Sequence, residues 1–297
     1  MNSIQLLIQE ICEEEGISCH AISKDWILVL EKGEEIHYIA GSHFDCNNYV
    51  SAKICNDKYA CYEALKYHHL PVLEHHIFYP NDSREEVLSS FHSYQENVVV
   101  KANSGSYGDD MFPVTNEEDL FSKMDLLFQK HHSISMSPFY SILHEYRVIV
   151  LNQEVELIFG KKRPVVVGDG VHSIIELLRE FNEPYFIKVE DSSLHRVLEK
   201  GEVYSYGWQH NLSKGSIPYL IEDEKLMEQL KELALQATEK LHLNFVSVDI
   251  VELEDHSFSI IEINSGVVTN IVPYFEKGEE IAKNIYKKAV LSLFSSK

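Results

Sequence analysis

Apolar positions at the start of the chain fall at helical spacing. Ile4, Leu7, Ile8 and Ile11 share one face, which predicts a short helix over residues 2–15. Two short apolar runs follow, Trp26–Leu30 and Ile36–Ile39, and the intervening Glu31-Lys32-Gly33-Glu34 predicts a hairpin. Asn56-Asp57 offers a capping side chain to a helix over KYACYEALKYHH, which Pro71 ends; PVLEHHIF then reads as a strand. Ser83-Arg84-Glu85-Glu86 opens another helix, and Asn97–Lys101 is a β-branched run with strand character. After a helix near Glu117–His131, the segment HEYRVIVLNQEVELIFGKKRPVVVGDG predicts two long antiparallel strands turning at Asn152-Gln153. Gly168-Asp169-Gly170 marks a second turn before the helix HSIIELLREF. Residues 222–241 keep apolar positions at i, i+3 and i+4, so they predict a helix. The strands Phe245–Val251 and Phe258–Ile263 follow, and EEIAKNIYKKAVLSLF closes the chain as an amphipathic helix. Helices alternate with antiparallel hairpins, which indicates α+β lobes rather than one parallel sheet.

Composition narrows the function. The 297 residues carry 26 Lys and Arg against 47 Asp and Glu, a net charge of −21. Phosphate-rich partners would be repelled, so neither nucleic acid nor an anionic membrane is expected. An anionic ligand would need a local cluster of Lys and Arg. No stretch approaches the ~18 apolar residues of a membrane span, and MNSIQLLIQEICEEEG is too acidic for a signal peptide. The expected location is cytoplasmic. The five cysteines, Cys12, Cys19, Cys46, Cys55 and Cys61, include no C-x-x-C and read as reduced thiols.

Chemistry concentrates in FVSVDIVEL and FSIIEINSG. Glu262 and Asn264 are two apart on a strand and share a face, and Asp249 joins them if the strands pair. Two carboxylates and an amide form an all-oxygen set that suits magnesium, with phosphate and water completing the shell. A solvent-facing edge would show the same alternation, but the flanking residues are apolar, and Asp and Asn are poor strand formers. Lys101 ends an apolar strand directly before Ala102-Asn103-Ser104-Gly105-Ser106-Tyr107-Gly108. Such a loop can point its amides at anionic oxygens, although a plain hairpin turn has the same composition. Lys58 stands at a helix start.

Together these elements resemble the ATP-grasp superfamily of carboxylate–amine ligases, in family order across residues 54–292. The landmarks are NDK-YACYEALK, VVVKANSGSYGDD, HEYRVIVL, KKRPVVVGDGVHSIIELL, NLSKGS, VSVDIVE and IIEINS. RPVVVGDGVHSIIEL is most similar to cyanophycin synthetase and the glutathione-synthesising fusion enzymes. NLSKGS and the D…E-x-N set also resemble the ribosomal-protein glutamate ligases. The resemblance implies an ATP-grasp fold, two α+β lobes clasping ATP, with a pre-domain segment over 1–55 and the ATP-grasp domain over 56–297. Its first lobe would span 56–135 and its second 136–297. Lys58 and Lys101 would hold the phosphates, and Ser104, Gly105, Ser106, Tyr107 and Gly108 would form a flap over them. Glu145 would meet the ribose, and Phe139 and Tyr140 the adenine at the interlobe hinge. Arg147, Lys161 and Arg163 would surround the transferred phosphoryl group and the substrate carboxylate, with Asn211 nearby. Asp249, Glu262 and Asn264 would bind two Mg²⁺ ions, for which Mn²⁺ could substitute.

The implied reaction is amide formation through an acyl phosphate, on small amino-acid or peptide substrates, by an enzyme often dimeric in relatives. An ATP-grasp kinase would instead need a base at a hydroxyl acceptor, such as His210 or His195, and a purely regulatory nucleotide-binding module would need neither. Two departures bear on the acceptor. The sequence EINSGVV lacks the Pro that many relatives carry after E-x-N, and only a helix and a hairpin are expected before Lys58. The pairs His68-His69, His75-His76 and His131-His132 read as surface histidines, because neighbouring strand residues point to opposite faces.

Overall fold

The computed structural model describes residues 3–105, 110–269, 271 and 274–295. The first helix, α1 (Ser3–Glu14), buries Ile8, Ile11 and Cys12. It lies by an antiparallel sheet of β1 (Ser18–Ile22), β2 (Ile27–Lys32), β3 (Glu35–Ala40) and β4 (His43–Phe44), in that order. Two short helices follow, α2 (Tyr49–Cys55) and α3 (Lys58–Tyr67). Asp57 caps α3, its Oδ1 accepting from the Ala60 N–H at 2.9 Å.

The next segment builds a small lobe from β5 (His76–Phe78), α4 (Arg84–Ser93), β6 (Val98–Ala102), β7 (Met111–Val114), α5 (Glu117–Phe128) and β8 (Ile134–Pro138). Its sheet order is β5-β8-β6-β7. One face packs Val98, Val100, Ile134 and Met136 against Phe91, Leu120 and Leu127. Strand alternation sends Val99, Lys101, Ser135 and Ser137 to the other face, and all four are buried.

The centre is an antiparallel sheet begun by β9 (Ile142–Leu151) and β10 (Glu154–Lys162). Asn152 and Gln153 take φ of 50° and 64°, the left-handed pair that a two-residue hairpin turn requires. A satellite with its own core follows: β11 (Val165–Val167), α6 (Ile174–Phe186) and β12 (Val203–Ser205). The chain then returns through β13 (Ile217–Leu220), α7 (Glu224–Lys240), β14 (Phe245–Leu253), β15 (Phe258–Asn264) and α8 (Gly278–Leu293). The central order is β13-β10-β9-β14-β15.

The two faces of this sheet differ. Tyr146, Val148, Val150, Val246, Val248 and Ile250 bury together with Leu230, Ala234 and Ala237 of α7. The opposite face is divided along its length. At one end Ile149, Leu151, Phe159 and Phe245 pack with the N-terminal sheet and α8 in a single core. Further along the same strands the side chains become Glu145, Arg147, Lys161 and Asp249. The polar half of that face carries the site, and the apolar half carries the N-terminal layer.

The long elements match the sequence expectations closely. The long second strand expected through PVVV, however, breaks at Arg163-Pro164 into β10 and β11, which pairs with β12. The shorter strands β1, β4, β7, β8, β12 and β13 and helix α2 were not expected from the sequence. Their runs are short, and β8 (ISMSP) puts serines on its second face instead of a readable apolar stripe. PVLEHHIF is strand only over His76–Phe78. Its start lies along β15 instead, where the Leu73 N–H donates to the Ile260 carbonyl at 2.9 Å. Among the described residues, no helix is long and apolar enough to cross a membrane.

Candidate active site

A cavity of about 800 Å³ lies between the small lobe and the polar half of the central sheet. Register sets its floor. Phe159, Arg147, Asp249 and Glu262 stand in one row across four strands; Lys161 faces Glu145 in the next row, and Ser247 faces Asn264. Arg147 donates from Nε and Nη2 to the two oxygens of Asp249, each at 2.7 Å. Lys161 Nζ lies 2.5 Å from Glu145 Oε1 and 3.0 Å from Asp249 Oδ1. Asp249 is 1% exposed and Lys161 4%. Burial alone would raise the Asp249 pKa, but Arg147 and Lys161 hold it well below the usual carboxylate range. Burial raises that of Glu145, which Lys161 offsets only in part.

The opposite wall holds cations of a different kind. Lys58 begins α3, and its Nζ donates to the carbonyls of Gly105 (3.1 Å) and Asn103 (3.4 Å). Lys101 is buried at the end of β6, and no described acid pairs with it. Burial first, and then Lys58, pull the Lys101 pKa down to about 7, against the opposing pull of Glu262 and Glu145. Burial also lowers that of Lys58. Ser104 and Gly105 line the cavity, whereas Ser106, Tyr107 and Gly108 fall outside the described residues.

Phe139, Tyr140, Val72, Ile142 and Leu143 give the cavity an apolar end. The Phe139 ring lies 5.5 Å from that of Trp208, and the Tyr140 hydroxyl accepts from the Glu74 N–H at 3.1 Å. Arg163 lines the cavity and donates to the Trp208 carbonyl at 3.5 Å. Asn211 also lines it, but its Oδ1 accepts from the Ser213 N–H at 2.9 Å and caps a short turn.

The three expected metal ligands separate into two kinds. Glu262 and Asn264 lie side by side, with Asn264 Nδ2 donating to Glu262 Oε1 at 3.2 Å. Asp249 has both oxygens engaged by Arg147 and Lys161. Among the described residues no three His, Cys, Asp or Glu side chains group as a metal site. A carboxylate and an amide on one face still fit magnesium, which takes one or two protein ligands beside phosphate and water.

Three further features were not expected from the sequence. His75 is buried, not at the surface, and lines the cavity. The available signal was the alternation Leu73, His75, Ile77, which puts the histidine in phase with apolar neighbours. His210 is also buried, its Nδ1 lying 3.0 Å from the Lys161 carbonyl, and burial pulls its pKa down to about 4. Finally, the short N-terminal segment reaches the site. A Cβ on Gly266 would lie 2.6 Å from Ser42 Oγ and 2.7 Å from the His43 ring, so both side chains would have to shift to admit one. His43 bridges Gly266 through the backbone, and Ser42 and His43 both line the cavity.

Comparison with known proteins agrees with this architecture. Residues 188–288 match the RimK-like ATP-grasp domain family. The glutathione biosynthesis bifunctional protein GshAB of Listeria monocytogenes is 26% identical over 298 residues, covering 90% of this chain and 38% of its own length. The chain thus spans about two fifths of that relative. A bifunctional glutathione synthetase from Pasteurella multocida superposes with a TM-score of 0.56 at 20% identity, over 95% of this chain and 44% of that one. A D-alanine–D-alanine ligase from Bacillus anthracis gives 0.55 at 15% identity, over 82% and 72%. The fold is therefore that of the ATP-grasp ligases.

Proposed function

We propose that this chain is an ATP-dependent ligase joining a carboxylate to an amine, with release of ADP and phosphate. The observation that carries the reading is the opposition, across one cavity, of the desolvated Lys58 and Lys101 to the oxygen donors Glu262 and Asn264. Cations without buried acid partners suit phosphates, and an oxygen pair suits the metal that accompanies them. In this reading the base occupies the apolar end near Phe139 and Tyr140. Glu262 and Asn264 hold a divalent ion, which offsets charge as the γ-phosphoryl group moves. Asp249 anchors Arg147 and Lys161 at the floor, and Arg163 is placed to meet the substrate carboxylate.

The carboxylate, ionised at neutral pH, attacks the γ-phosphorus and ADP leaves. An amine then attacks the acyl carbon and phosphate leaves. No general base is needed for the first step; among the described residues, His43 and His75 of the cavity each pair with a serine, and neither has an Asp or Glu hydrogen-bonded to its ring. Of the two candidate bases for a kinase, His195 does not line the cavity and His210 does. The acceptors are read as amino acids or peptides. The test is ADP release with amino acids and dipeptides, singly and in pairs, followed by hydroxylamine trapping. The acid that stimulates turnover should give a hydroxamate without the natural amine, and Arg163→Ala should suppress it. A stable phosphorylated alcohol with no hydroxamate would overturn the ligase reading.

A further inference from the structure

Among the described residues, His75 is one of three buried side chains with an unpartnered polar atom, its Nε2. It stands beside the phosphate-binding wall rather than at the floor. Lys101 faces Ser135 across β6 and β8, and Ser135 Oγ lies 3.1 Å from His75 Nδ1. The three side chains thus run along one face of the small-lobe sheet. Tyr62, also a cavity residue, meets the imidazole edge-on, with centroids 6.2 Å apart and planes at 88°.

The hydrogen bond selects a tautomer. Ser135 is fully buried, and its hydroxyl has no other described partner. If Nδ1 carried the proton, the hydroxyl hydrogen would be buried without an acceptor. The satisfied arrangement has Ser135 Oγ–H donating to Nδ1, which leaves the hydrogen on Nε2. Burial, with Lys101 and Lys58 close by, keeps the ring neutral. A buried N–H donor without a partner is costly, and beside two lysines its natural complement is an anionic oxygen.

On the nucleotide reading above, we propose that His75 is a third phosphate ligand. Its Nε2–H, shielded from the cavity in this structure, is uncovered by a shift of the side chains around it and donates to a phosphate oxygen of the bound nucleotide beside Lys58 and Lys101, and Ser135 fixes the tautomer. The competing acceptor is a ring nitrogen of the base, and the probes separate the two.

Titration calorimetry of the full chain with Mg-ATP, tripolyphosphate and adenosine, on wild type, His75→Phe and His75→Gln, tests this. One hydrogen bond to an anionic oxygen corresponds to about tenfold to a hundredfold in affinity. His75→Phe should weaken ATP and tripolyphosphate by that factor and leave adenosine unchanged. His75→Gln, which restores an N–H, should recover most of the loss. Unchanged tripolyphosphate affinity in a folded His75→Phe protein would overturn the assignment, as would a loss confined to adenosine. If His75→Phe does not fold, Ser135→Ala carries the test: a loss of about twofold for tripolyphosphate supports the proposal, and none overturns it. Wild-type protein that binds no nucleotide would remove the nucleotide reading itself, an outcome distinct from any variant's behaviour.

Discussion

The two walls of the cavity place their charges under opposite regimes. On the central sheet Arg147, Lys161, Asp249 and Glu145 neutralise one another at distances of 2.5–3.0 Å. On the other wall Lys101, from the small lobe, is equally buried but has no described acid partner, and Lys58, at the start of α3, donates only to carbonyls. The first set is complete without ligand and serves as scaffold. The second is desolvated without such partners, and on the proposed function an arriving anion would relieve it. On that reading ion-pair count points away from the ligand, to the wall with fewer bonds.

The sharpest way to break this comparison is to remove the partner that completes the floor. Asp249→Asn leaves Arg147 without its buried carboxylate, while Lys161 keeps only Glu145. Breaking a buried pair in this way costs about 3–5 kcal/mol, so the melting temperature should fall by many degrees. Lys101→Met removes a charge that the fold holds at a cost, and its melting temperature should hold or rise. If both variants melted alike, the two walls would not differ as described.

Nucleotide affinity should reverse the ranking. Lys101→Ala should weaken ATP binding about tenfold to a hundredfold, since a charged contact to phosphate is worth roughly 1.5–3 kcal/mol. Lys101→Arg should restore only part, because a planar guanidinium does not replace a compact ammonium. Calorimetry showing unchanged affinity in Lys101→Ala would make this lysine a bystander.

The same wall predicts a pH slope. The Lys101 pKa in the free protein is about 7, and a bound anion raises it. Above that value binding therefore takes up a proton, and affinity falls as pH rises. The limit is about tenfold per pH unit for one proton. Titrations from about pH 7.5 upward, where ATP is fully ionised, should show the fall in wild type. Most of it should disappear in Lys101→Met; a slope that persists in full would assign it to another group.

The sequence made the paired wall legible in position but not in state. Asp249, Glu262 and Asn264 were placed together because strand alternation is a strong signal, and the register sets Asp249 opposite Glu262. That Arg147 and Lys161 would occupy both oxygens of Asp249 depends on how β9, β10 and β14 align, which no local pattern encodes. Lys101 and the loop were visible because a β-branched run ends there. His75 was missed because it lies just before the three-residue β5, outside any regular strand whose alternation would place it. The N-terminal contact was missed because it depends on Gly266 lacking a side chain, a close approach between residues far apart in the chain.

The smallest expected effect sharpens the comparison most, because it separates stability from binding. Asp57 caps α3 with one bond to the Ala60 N–H, and Lys58 is the next residue. Asp223 caps α7 with bonds to the N–H groups of Lys225 and Leu226, and neither Asp223 nor those two residues line the cavity. Replacing either cap by Ala should cost about 1 kcal/mol of stability. Fraying the first turn of α3 also loosens the backbone that holds Lys58, so Asp57→Ala should weaken ATP binding about two- to fivefold, within the range of one weakened contact. Asp223→Ala should leave that affinity unchanged. Asp57 is also an anion near Lys58, and its removal alone would favour a phosphate. Asp57→Asn keeps the cap without the charge and isolates the two contributions: affinity should match or slightly exceed wild type. If Asp57→Asn weakened binding as much as Asp57→Ala, the carboxylate and not the helix start would be holding Lys58 in place.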